Sequence, residues 1–460
     1  MRMLKASRSD DSDSIRNKGQ LLRVSMTSTR DSNQTRRLVT VLFMGLLLLS
    51  SCKRSSTYIT ATKGEFFPGL SQPILVSSGS ADAAEPTIAA SPDGSVYVAW
   101  VNHGPNKEAN VMISRFNRDG EIQGTAARVN LPPGTATAWR GDPPTVAVAP
   151  DKTVYVGWTA RVDSKAGHAT NLYLSSSHDQ GQTFAAPVKV NDDTKPGDHG
   201  MHSLAVGSDG RIYMAWLDER SIAPVPMKEM KMDSSAKGHM ESNRGLYYAT
   251  SMDGGHTFSA NQRVASDVCP CCKTALAVSS DGHLYLSWRQ VLPGDLRHIA
   301  VASSSDQGKT FTAPKIVSDD QWVLAGCPVS GPSLSVDKNG VLSVLWYSAG
   351  TNGQTGLYWS QSNDHGSTFD ARKLVSAGPT TGSPVVVTEN GVMAGVWEGN
   401  EGGESKVLTS SLENRETTSN SFQVADHGEV PAAVLTEGHL FIAYIAKDSE
   451  RQNIWLVYAK

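Results

Sequence analysis

Apolar and polar residues alternate along this chain in short runs separated by Gly- and Asp-bearing turns, and long amphipathic helical periodicity is missing. Residues 274–318 show the unit. TALAV ends at Val278, the chain turns at Ser280-Asp281-Gly282, HLYLSW runs to Trp288, and HIAVAS and APKIVS follow. Period-two alternation over runs this short predicts half-buried strands. Four of them predict one small antiparallel sheet with two apolar faces, which must stack on copies of itself.

Copies fill the chain. The second run recurs with its aromatic end at Trp100, Trp158, Trp216, Trp346 and Trp397, and in a degenerate form at Tyr444. First strands follow from Pro86, Pro144, His202, Thr274, Pro332, Pro384 and Ala432, which counts seven repeats. Successive Trp positions lie 58 residues apart except for 72 from Trp216 to Trp288 and 51 from Trp346 to Trp397, so the third repeat carries a loop insertion between Trp216 and Gly245. QPILVS (72–77) matches a fourth strand with no three before it, and the chain ends on three strands with no fourth. The first segment is therefore expected to complete the last sheet and close a ring, which removes exposed edges. The expected fold is an all-β propeller of four-stranded blades over residues 71–460, seven by repeat count, with six as the alternative.

The N-terminus is set apart as residues 1–51, expected to be a signal peptide whose true start is Met26 if the polar stretch before it is untranslated. Arg36-Arg37 precede LVTVLFMGLLLL (38–49), too short for a comfortable membrane span and right for a signal-peptide core. Ser50-Ser51-Cys52 then resembles the lipobox of bacterial lipoproteins, which implies lipidation at Cys52, a tether over 52–70, and a place on the cell envelope. Lys53 carries no acidic retention signal, so the outer membrane is the expected location, and an ordinary secreted protein is the alternative. With 42 basic against 45 acidic residues, no nucleic-acid partner is indicated.

The turn between third and fourth strands reads S-x-D-x-G-x-T-F four times: Ser177, Asp179, Gly181, Phe184; Ser251, Asp253, Gly255, Phe258; Ser304, Asp306, Gly308, Phe311; Ser362, Asp364, Gly366, Phe369. Ser and Asp can bond their own turn backbone, Gly permits positive φ, and Phe can anchor the turn. These turns look like the Asp boxes of the sialidase (BNR-repeat) propellers, a resemblance that spans residues 72–460. It implies a glycan or protein ligand at the propeller mouth, and, if an enzyme, an exo-α-sialidase-type glycosidase acting on terminal acidic sugars. Family sialidases use an arginine triad with a tyrosine, a glutamate and an aspartate. Candidates for such a set here are Arg140, Asp218, Arg220, Arg289, Tyr347 and Glu398. The early F-R-I-P arginine of the family is absent, since the corresponding region reads EPTI (85–88).

A second chemistry is concentrated in the second-to-third loops and inter-repeat links, which share one face. The link into repeat 3 holds His199 and His202, the insertion holds Met227, Met230, Met232, His239 and Met240, and the links into repeats 4 and 5 hold Cys269, Cys271, Cys272 and Cys327. Thiolate, thioether and imidazole together suit copper first, or zinc. The alternative is disulfides, for example one tying Cys327 to the CPCC loop. Adjacent cysteines rarely bond each other, so C-x-C-C crowds more thiols than a staple needs. A phosphate-cradling loop, a G-x-S-x-G elbow and an H-E-x-x-H motif are all missing.

Overall fold

A computed structural model describes residues 69–460, apart from residues 78, 80–81, 138, 140, 163–167, 223–242, 413–420 and 449–450. The signal segment, the anchor at Cys52 and most of the third-repeat insertion lie outside the described residues. What is described is all-β, with one 3-10 turn at Pro105–Lys107. Five antiparallel sheets have four strands each, and a nine-stranded sheet holds the third and fourth repeats. The two repeats merge there through one pair, Val268 with Gln290.

Each repeat is laid out as its sequence pattern implies. In the first, strands Asp82–Ala90, Val96–His103, Ala109–Phe116 and Ala127–Arg128 pair in order. In the last, Gly428–Thr436, His439–Lys447 and Gln452–Ala459 take Ile74–Leu75 as their fourth member, with Ile74 opposite Leu456 and Leu75 opposite Trp455. The first and the last of the described strands thus share one sheet.

The alternation of side chains decides which neighbour each strand packs against. On Val96–His103, Tyr97, Ala99 and Val101 join Val154, Val156 and Trp158 of the second repeat. The intervening Val96, Val98 and Trp100 join Phe441, Ala443 and Ile445 of the seventh. Every consecutive pair of repeats shares such a core. The second-strand tryptophans fill these cores, and Trp100, Trp216, Trp288, Trp346 and Trp397 are all fully buried. A buried indole N–H needs an acceptor. Asn102, Asp218 and Gln290, each two residues beyond its tryptophan, supply it at 2.7, 2.9 and 2.7 Å.

The four Asp-box turns are nearly superimposable in their bonding. In the second of them Ser251 Oγ donates to Asp253 Oδ1 (2.8 Å) and accepts from Gly255 N (2.9 Å), while Thr257 N and Oγ1 donate to the two Asp253 oxygens (3.0 and 2.6 Å). The glycine takes φ near +85° in all four, a conformation that a side chain would strain. Phe184, Phe258, Phe311 and Phe369 each pack into the core beside their turn.

Candidate functional site

The first strands of consecutive repeats touch one another, and that of the seventh touches that of the first. Among them lies a cavity of about 830 Å³. Its wall is made of prolines, valines and alanines with a few hydroxyls, notably Ser203, Thr274 and Ser333. Lys273 is the one charged residue lining it among the described residues. The amine donates to Pro143 O (3.2 Å), and burial lowers it to about 8, opposed by the charge of Asp142. The link that carries Lys273 is pinned by Thr274, whose N and Oγ1 both donate to Met201 O (3.1 and 2.8 Å). On the other side Gly331 lies against the Lys273 backbone so closely that a Cβ there would collide with its carbonyl.

Trp139, 48 % exposed, lines this cavity and also a second one of about 420 Å³ between the second and third repeats. The second cavity is polar, with Arg161, His168, Asp198, His199 and Arg244 in its wall. Its groups are tied to each other: Arg244 pairs with Asp198 (3.0 Å) and Glu219 (2.9 Å), and His168 with Glu219 (3.1 Å). Trp139 is the one described residue that lines both cavities.

The sequence candidates fall into separate places. His199 Nε2 meets Asp193 (3.0 Å) and Asp218 (3.4 Å), and His202 Nδ1 meets Asp142 (2.9 Å), so neither histidine joins the cysteines. Burial would lower His199, but the hydrogen bond to Asp193 and the Asp218 charge raise it. Burial would likewise raise Asp142, but His202 and then Lys273 hold it below the ordinary carboxylate range. Met227, Met230, Met232, His239, Met240 and Arg140 lie outside the described residues.

The described members of the acid-sugar set do not converge. Arg220 reaches Asp218 (2.9 Å) and Asp192 (2.6 Å) and lies over the Tyr247 ring, 4.5 Å from its centre. Arg289 is wholly buried and donates to the carbonyls of Ser330 (2.8 Å) and Tyr347 (2.9 Å). Tyr347 meets Trp322 edge to face, and Glu398 is buried, accepting from Thr381, Ser405 and the Val430 N–H. None of Arg220, Arg289, Tyr347 and Glu398 lines the cavity that holds Lys273.

The cysteines do come together. Cys269, Cys271 and Cys272 have their sulfurs within 4.8 Å of one another, and Cys271 is bonded to Cys327, with Cα atoms 6.0 Å apart. Cys269 and Cys272 are free and buried. Their hydrogen bond raises Cys269, with burial adding to it; for Cys272 burial acts upward, but that bond and the Arg289 charge bring it down.

Three features escaped the sequence: Lys273, Trp139, and the placing of Arg289 beside sulfur. The usable signal for the first was the lone cation directly after CPCC, in a link bound for the centre of the array.

Stacked four-stranded sheets with serine-aspartate turns define an Asp-box repeat protein of the sialidase type. The BNR repeat-like domain model matches residues 94–391, and the chain belongs to that family. No curated protein matches it. Among solved structures, a protein of unknown function from Dyadobacter fermentans is 14% identical with TM-score 0.51, over 85% of this chain and 99% of that one. An ulvan polysaccharide lyase is 11% identical with TM-score 0.51, over 82% and 93%. The Hadza microbial sialidase Hz136 is 14% identical with TM-score 0.45, over 79% and 76%. At such identity the first two likenesses concern the fold alone.

Proposed function

We propose that the protein is a glycan-binding module of the cell envelope, lipid-anchored at Cys52, whose seven repeats are the blades of a closed propeller and whose axial cavity takes a sugar bearing one carboxylate. Closure is supported by the core that the seventh repeat shares with the first and by the strand Ile74–Leu75 in the last sheet. The ligand class rests on one observation: a cavity of about 830 Å³ with a single cation, Lys273, in its described wall. An amine in an apolar wall favours an anionic partner more than water does, because the low dielectric strengthens their attraction. Trp139 at the rim offers an apolar face of the kind that stacks on a sugar ring. The fold admits such a ligand, since the ulvan lyase structure holds a glucuronate-containing oligosaccharide.

Binding is favoured over hydrolysis because Arg220 and Arg289 are engaged with carboxylates and backbone carbonyls. Calorimetric titration with a glucuronate-terminated disaccharide and its neutral glucose counterpart tests the proposal. The acidic sugar is expected to bind at least about tenfold tighter, equivalent to ~1.4 kcal/mol, and Lys273→Met to erase the difference. Equal binding of both sugars, or binding of neither, contradicts it. Release of the terminal sugar during the titration would move the function to a glycosidase.

A further inference from the structure

The sulfurs of Cys269, Cys271, Cys272 and Cys327 occupy one locus beneath the links that enter the fourth and fifth repeats. Cys269 Sγ and Cys271 Sγ are 3.9 Å apart. Four thiolates arranged tetrahedrally at about 2.3 Å from zinc stand ~3.8 Å from one another. The Cys269–Cys271 pair therefore already has the spacing of a tetrathiolate site, and the bonded Cys271–Cys327 pair reaches it only once that bond opens. A staple needs two of these residues, and the packing of Cys269 and Cys272 with Met201 and Val268 brings two more to the same point.

Charge supplies an independent observation. Arg289 is wholly buried, donates to carbonyl oxygens, lies over the Trp322 ring and beside the Cys272 sulfur, and has no hydrogen-bond acceptor of its own for Nη1. Arg297, 4 % exposed, donates to Leu324 O (3.1 Å) and also leaves Nη1 unpartnered; its carboxylate contact is Asp295 at 3.8 Å. Both guanidinium charges act on Cys269, and that of Arg289 on Cys272. Buried cations are costly unless an anion faces them. The Cys271–Cys327 disulfide supplies none. Four thiolates around a divalent ion carry a net charge of about −2, which two guanidinium groups balance.

We propose that Cys269, Cys271, Cys272 and Cys327 hold a zinc ion, in a state reached by reducing the Cys271–Cys327 bond, and that this ion clips the link into the fourth repeat to the link into the fifth. A dithiol supplies the two electrons and two protons, closing to its own disulfide as the Cys271–Cys327 bond opens to two thiols. Zinc then displaces the protons of the four thiols to solvent. Cys327 is exposed, so reductant and ion enter from its side. Tetrahedral four-sulfur coordination selects zinc over copper, and no residue of the 223–242 loop is required. The site adjoins the sugar cavity, whose wall holds Lys273 and Pro328 next in sequence to Cys272 and Cys327, but none of the four cysteines lines that cavity.

The test uses the full chain, reduced anaerobically with dithiothreitol, given zinc, and desalted. Elemental analysis is expected to find one zinc per chain, and X-ray absorption to find four sulfur neighbours. Arg289→Met should weaken zinc affinity about 10- to 100-fold. Cys327→Ser, on an exposed link that tolerates change, should leave three sulfur neighbours and weaken retention. Zinc lost on desalting, zinc bound through oxygen or nitrogen, copper(I) retained where zinc is not, or undiminished binding in Cys327→Ser would each overturn the proposal.

Discussion

Ser251, 1 % exposed, uses one hydroxyl twice, donating to Asp253 and accepting from Gly255. Ser251→Ala leaves the Gly255 N–H without its acceptor, and urea denaturation is expected to register a loss of about 1–2 kcal/mol. This turn was legible because its partners lie within four residues of each other. Arg289 was not: its acceptors are 41 and 58 residues further on, and an arginine read as a carboxylate ligand ties its strand to the link at Ser330 and to the strand of the next repeat at Tyr347. Lys273 makes a pH prediction. Burial lowers its pKa to about 8, so the cation is present below that value and disappears above it. Affinity for the glucuronate probe should be flat from mildly acidic to neutral pH and fall about tenfold per unit above pH 8, with the neutral sugar unaffected.

At the scale of elements, the strands were readable because alternation and the aromatic end of each second run repeat seven times. The merging of the third and fourth repeats at Val268 and Gln290 was not, since one bridge leaves no periodic trace. Asp179, Asp306 and Asp364 are held at about 2, first by the Thr side chain and backbone of the same turn. Their folded values lie below the ordinary carboxylate value of 3.8, so this stabilisation is complete above about pH 4 and drains away as pH falls toward 2. Thermal melts should show a plateau above pH 4 and a decline below it, and the decline should be shallower once Asp179 is replaced by asparagine. The strand Ile74–Leu75 gives a sharper test. Val76 beside it is 1 % exposed and bonds Ile454 O (2.9 Å). Val76→Asp should detach the strand, lower the melting temperature and expose the edge of Gln452–Ala459 to self-association, visible by light scattering.

Over the whole molecule, each core belongs to two repeats, so no repeat is stable without its neighbours. The same stacking sets the links of successive repeats side by side, which is why Cys327 meets Cys271 across 56 residues and why Lys273 is the one charged residue among the described walls of the cavity. The clustering of cysteines on one face followed from topology. The pairing of His202 with Asp142 did not, because that carboxylate stands 60 residues back in the link into the second repeat, whereas Asp193 lies in the link that leads to His199 and Asp218 faces His199 across the same sheet. The decisive measurement is a crystal structure of the protein soaked with the glucuronate-terminated disaccharide. The expected result is its carboxylate about 3 Å from Lys273 Nζ with the sugar ring against Trp139. A ligand seated instead among Arg161, His168 and Arg244, with the axial cavity free of sugar, would contradict it.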